Sequence, residues 1–227
     1  KLGQKINNKF DFIWDSLTKK NIDCFVWGSI NSKFNENKYL KVFFPDPWNY
    51  YSKIKPKKLK NLHLLPKYYA KNYTQPNFFK IIKYSIIFFY SFIKNYGINF
   101  LIKYFFLIFS VILKQGLKNF ILFFLFDLIS LHLFNKNIQT NNKCFSYIFL
   151  NSLAHFQHNN WSDKKVEKYY FIFVDQFAKE IFEIYKKHSS LLVFNGFSQI
   201  KTNKEYIIRP KNPNFFLKKI VKFKNLE

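Results

Sequence analysis

The chain has 227 residues and a formal net charge of +24, long enough to bury a sizeable core as one domain or as one domain with a large insertion. Two cysteines exclude a disulfide-built scaffold, and a base-reading nucleic-acid protein is not expected, because Arg209 is the sole arginine among 37 basic residues. Lys, Asn, Phe, Ile and Tyr dominate, residue types that share A- and T-rich codons, so the lysine excess reads first as a solvated surface written by an AT-biased genome.

The chain opens on Lys1 and contains no Met, so the true N-terminus is expected upstream. Residues 1–10 are polar and lack the apolar core of a signal peptide. Cys24 and Cys144 lie in apolar, strand-like surroundings and read as free thiols of a reducing compartment. A cytoplasmic location follows, with peripheral membrane contact as the alternative. Phe10, Ile13, Trp14 and Leu17 keep helical spacing and predict a helix over 9–20. Ile22 to Gly28 then reads as a buried strand ending on glycine. Lys41 to Phe44 reads as a second, running into the rigid corner Pro45-Asp46-Pro47-Trp48. Residues 51–76, rich in Lys, Tyr and Pro, read as irregular.

From Asn77 to Phe134 the chain becomes very apolar. Its longest uncharged runs, 84–93 and 104–113, fall short of the about 20 residues a bilayer span needs. Lys80, Lys83 and Lys94 lie within about 60° of one another on a helical wheel, which leaves the rest of that helix free to be apolar and buried. Gly97 and Gly116 divide the region into roughly three helices. A helical insertion packed on the domain is the expectation, with membrane-surface helices as the alternative.

Cys144 to Leu150 predicts another buried strand, with Asn151 at its carboxyl end. Ser162-Asp163 is placed to cap a long helix reaching about Lys187. Leu191 to Phe194 reads as a further core strand with the polar exit Asn195-Gly-Phe-Ser-Gln199. Alternating helices and strands predict an α/β fold, a mixed and mostly parallel sheet with helices on both faces. The domain organisation expected is an α/β core over 1–76 and 138–227, its N-terminal part upstream, and an apolar helical insertion or cap over 77–137.

Ligands of open α/β sheets bind beyond the carboxyl ends of the strands. Three such ends carry polar groups here: Pro45-Asp46, Asn151 to Asn160, and Asn195 to Gln199. His155 and His158 follow Asn151 by four and seven residues, and a spacing of three sets both imidazoles on one side of a helical turn. Neutral imidazole is the commonest metal ligand, so Asn151, His155 and His158 are the candidate metal set, against hydrogen-bonded loop histidines. His158 is also the candidate acid/base. A dinuclear centre calls for more carboxylates than Asp46 and Asp163 supply. No GxGxxG, P-loop, HExxH, GxSxG or CxxC motif is present. His63, His132 and His188 stand alone and read as core or surface residues.

Phe12-Ile-Trp-Asp-Ser-Leu-Thr followed by Asp23-Cys-Phe-Val-Trp-Gly-Ser resembles the alkaline phosphatase superfamily, in its type I phosphodiesterase and nucleotide pyrophosphatase branch. Phe149-Leu-Asn-Ser-Leu-Ala-His-Phe-Gln-His-Asn-Asn-Trp161 is similar to that family's second metal segment, where an acidic residue precedes a histidine by four positions. The resemblance sets Asn151 at the acidic position and His155 at the histidine. Leu191 to Gln199 resembles the strand that ends in Asp-His-Gly, and Ile208-Arg-Pro210 with Asn212 and Pro213 the segment with a last histidine. The departures are Asn151 for a carboxylate, no Asp-His pair in 195–199, and Pro213 where a histidine would stand. The resemblance places the Ser or Thr nucleophile and a first Asp ligand upstream of Lys1.

That resemblance implies an alkaline-phosphatase-like fold and a metal-dependent hydrolase or transferase of phosphate or sulfate esters, with zinc or manganese as cofactor. The substrate would be a small phosphoester or a phosphorylated glycan, contacted by Asp46, Trp48, Asn160, Asn195, Gln199 and Arg209. Two alternatives remain open: an inactive relative that binds a phosphorylated ligand or partner, and a basic peripheral membrane protein that uses helices within 77–134.

Overall fold

A computed structural model describes residues 11–49, 53–73, 75–116, 119–138, 143–160, 164–188 and 190–194. In chain order these hold α1 (Ile13–Lys19), β1 (Asp23–Ser29), β2 (Leu40–Pro45), a 3₁₀ turn (Lys57–Leu59), α2 (Lys60–Asn72), α3 (Phe78–Tyr96), α4 (Asn99–Gln115), α5 (Asn119–Asn137), β3 (Cys144–Ile148), α6 (Ser152–Asn160) and α7 (Lys164–Tyr185). Residues through Val193 fall in one compact unit and Phe194–Glu227 in a second.

The three strands form one parallel sheet in the order β2-β1-β3. Central β1 sets Val26 beside Phe43 of β2 and beside Tyr147 of β3. Because side chains alternate across a strand, β1 feeds two cores. Phe25 and Trp27 face a large helical core. Trp27 stacks on Phe44 at 4.2 Å and meets Phe134 of α5 edge-on at 6.1 Å. Cys24 and Val26 face the other way, into a small core with Trp14 of α1, Leu40 and Phe43. Helices therefore cover both faces, as expected. α5 is apolar all round, with Ile121, Phe124, Leu128 and Leu131 fully buried. It is the one helix among the described residues long and apolar enough to cross a membrane, and it serves here as the core helix against which α6 and α7 pack.

The expectations for β1, β2 and β3 hold to within about two residues, and the apolar region does divide into three helices. Gly97 and Gly116 end α3 and α4 at φ 80° and 70°, a backbone that a side chain would strain.

Four expectations are corrected. Residues 51–76 are not irregular over most of their length: the 3₁₀ turn and α2 occupy Lys57–Asn72 and bury Leu59, Leu62, His63 and Ala70. Leu191 to Phe194 form no strand; Leu192 is 81% and Val193 72% exposed, so this apolar run covers no core. α3 is not apolar and buried on all sides but its lysine stripe, for Phe79, Ile86 and Tyr90 lie open to solvent. Finally, the three parallel strands and seven α-helices among the described residues are a mixed α/β architecture and do not amount to the alkaline-phosphatase fold that the resemblance implies.

Candidate functional site

The carboxyl ends of the parallel strands point one way, and the polar groups gather there. β1 exits through Gly28, whose φ of 71° and close approach to its neighbour leave no room for a side chain: a Cβ would lie 2.7 Å from the Phe149 carbonyl oxygen. The exit of β1 thus sits directly against the exit of β3, and the Phe149 N–H donates to the Trp27 carbonyl at 3.0 Å.

At the β2 exit Asp46 is buried, and its Oδ1 accepts the Trp48 N–H at 2.8 Å, the turn expected of an Asp before Pro. Burial pushes its carboxyl above the usual carboxylate range, and the Trp48 N–H partly offsets this. Trp48 itself is half-exposed and meets Tyr73 edge-on at 5.4 Å. His63 of α2 lies beneath, buried edge-on against Phe44, with Nε2 3.2 Å from the Pro45 carbonyl. Burial lowers its pKa to about 4, so it stays neutral and acts as a core residue, as read from the sequence.

At the β3 exit the chain turns at Asn151 into α6. The Asn151 and Ser152 N–H groups donate to Oδ2 of Asp127, at 3.0 and 2.8 Å. A carboxylate from α5 thus occupies the positive end of α6, the place an anion takes at a bare helix N-terminus. Asp127 is fully buried, and burial raises its pKa to about 6, opposed by the Ser152 and Asn151 contacts and reinforced by the Asp46 charge. Sequence reasoning missed Asp127. The available signal was a lone carboxylate inside an otherwise apolar helix, a position that requires partners.

One turn into α6, His155 stacks flat on Phe123, with ring centroids 4.0 Å apart and planes 4° apart. Its Nε2 is 3.4 Å from Nδ2 of Asn151. Burial, and then the neighbouring His158, lower its pKa, so the ring is neutral at physiological pH. His158 is exposed on the next turn. Asn160 turns inward, its Nδ2 donating to the Phe156 carbonyl at 3.0 Å.

Asn151 and His155 are therefore brought together, with His158 one turn further along α6 and Asp46 at the β2 exit, on the other side of β1 in the sheet. Asn195, Gln199 and Arg209, and with them the third expected strand exit, lie outside the described residues. No cluster of three or more His, Cys, Asp or Glu with ligand geometry occurs among the described residues. The Asn151–His155 pair nonetheless has the spacing of two ligands on one cation. Ligand atoms about 2.1 Å from a tetrahedral zinc stand roughly 3.4 Å apart, and turning the Asn151 amide over presents Oδ1 where Nδ2 now lies.

Comparison with family models, curated proteins and solved structures returns no match for this chain.

Proposed function

We propose that this chain supplies part of a metal-dependent site that hydrolyses or transfers a phosphate or sulfate ester, with the Ser or Thr nucleophile and the remaining ligands outside residues 1–227. The observation that carries this is the Asn151–His155 pair, held 3.4 Å apart at the carboxyl edge of a parallel sheet, where α/β enzymes bind their ligands. A bound zinc or manganese ion would polarise the ester oxygen and help deprotonate the nucleophile. The chain's own residues hold the ligands in place. Phe123 fixes the plane of His155, and Asp127 fixes the start of α6 and thereby Asn151. His158, exposed beside His155, is the candidate acid/base. Trp48 at the β2 exit and Asn160 at the end of α6 are the candidate contacts for a small phosphoester or phosphorylated glycan.

A second reading, a relative that binds a phosphorylated ligand without turning it over, is favoured by one observation: the two carboxylates nearest the edge, Asp46 and Asp127, are both engaged by backbone N–H groups.

The test is the metal content of the full-length protein together with its turnover of a generic phosphodiester. His155→Ala is expected to remove bound zinc or manganese and to abolish turnover. Metal content unchanged by the substitution refutes the ligand assignment. Metal that is bound and lost with His155, in a protein without turnover, selects the second reading.

A further inference from the structure

The α/β edge leaves the most unusual surface of the molecule unexplained. On α3, Phe78, Phe79, Ile82, Ile86, Tyr90 and Ile93 are exposed, and on α4 so are Ile102, Phe105, Phe106, Phe109 and Leu113. Phe79 is 80% and Phe106 71% exposed, far beyond the scattered apolar residues that a soluble surface tolerates. At about 100° per residue, each set occupies an arc of roughly 100–120° opposite the buried stripe of its helix. The two arcs share a surface, because Phe89 of α3 and Phe105 of α4 line one apolar groove together with Phe100, Tyr104 and Ile108.

The charge around this face has a single sign. Between Asp46 and Asp127 the chain carries no acidic residue at all, while every charged side chain in that stretch is a lysine. On α3, Lys80, Lys83 and Lys94 follow one flank of the apolar arc. On α4, Lys103 and Lys114 hold the same flank relative to theirs, about 110–130° from its centre. Lys103 also pairs with buried Glu180 at 2.7 Å. An open aromatic face edged chiefly by lysines has the pattern of helices that lie in a bilayer interface, with rings among the acyl chains and ammonium groups at the headgroups. A protein partner of ordinary composition would need an unusually acidic rim around an apolar centre. An anionic leaflet supplies both features by its nature.

We infer that α3 and α4 form a docking face for an anionic membrane surface, with the exposed rings of Phe79 and Phe106 inserted below the lipid headgroups. The inference is independent of the ester chemistry at the strand edge.

Vesicles of phosphatidylcholine with and without phosphatidylserine test it by co-sedimentation of the full chain. Binding is expected on the anionic vesicles in about 50 mM salt, with a large loss in about 500 mM salt, where the Debye length falls to a few ångströms. Lys80→Gln with Lys83→Gln is expected to weaken binding about 25-fold at low salt, about fivefold for each lysine. Phe79→Asp with Phe106→Asp, both at solvent-exposed positions, is expected to keep the parent circular dichroism and lose binding at least tenfold. Equal binding to neutral vesicles overturns the inference, as does the absence of binding at low salt. So does an outcome in which the phenylalanine pair drives only self-association in sedimentation velocity while vesicles are ignored.

Discussion

Replacing Asp127 by Asn removes a charge and keeps an oxygen that accepts the Asn151 and Ser152 N–H groups. In the folded protein the carboxyl titrates near about 6, against an ordinary value of 3.8. Folding therefore favours the protonated acid. The cost of holding the anion is absent below the unfolded value, grows as pH rises from about 4 to 6, and is complete above that. A difference of roughly two pKa units corresponds to about 3 kcal/mol at neutral pH. His63 and His132 act in the opposite direction: both titrate near about 4 when folded, so they stabilise above their unfolded value of 6.5 and lose that contribution as pH falls. Only the difference between variant and parent isolates Asp127. Urea unfolding followed by tryptophan fluorescence suits this protein, since Trp14 and Trp27 are buried on opposite faces of β1. The stability of Asp127→Asn relative to the parent is expected to improve by roughly 2 kcal/mol between about pH 4.5 and about pH 7.5. A flat difference, or one that worsens with pH, would show that the hydrogen bonds to Oδ2 outweigh burial and would refute the assignment.

Gly28→Ala is expected to cost about 3 kcal/mol, because the left-handed backbone penalises a side chain by about 1–2 kcal/mol and the new Cβ meets a main-chain oxygen. Gly97→Ala has the same sign of φ and open space around it, so a cost of about 1 kcal/mol is expected; equal losses at the two positions would remove the steric argument. His132→Leu replaces a ring stacked on Phe100 at 4.2 Å whose Nε2 is buried without a hydrogen-bond partner. It is expected to raise stability more at about pH 5 than at about pH 7.5, by roughly 2 kcal/mol, since the parent loses stability as His132 protonates on unfolding. A pH-independent effect would place the benefit in packing alone.

The three strands were legible because each is a short run of aromatic and branched residues bounded by polar punctuation, and Gly97 and Gly116 announced the helix ends. α2 was not. Pro66 lies inside it and lysines and tyrosines fill it, so its local signals argue for a loop. What stabilises it is tertiary: Leu59, Leu62 and His63 bury against the sheet and its exits. Leu191 to Phe194 misled in the converse way, since four consecutive apolar residues satisfy a buried-strand pattern whether or not a core receives them. At the site, Asn151 and His155 were readable from a strand followed by a helical turn. Asp127 was not, because its role depends on α5 lying across the start of α6, a contact no local spacing encodes. The exposed faces of α3 and α4 were legible only as the alternative of membrane-surface helices, because an apolar stripe on a sequence does not state what it faces.

The order of the sheet has a consequence in time. β1 finds β2 across a short connection, but its other neighbour, β3, sets Cys144 beside Asp23, and more than half the length of the chain lies between them. Closing so long a loop is entropically slow, while α3, α4 and α5 form from local contacts in microseconds. Nascent chains therefore carry finished, sticky helices well before the sheet that organises α5 is complete. That interval is the molecule's exposure to aggregation, and whatever covers α3 and α4 during synthesis governs how much protein survives it.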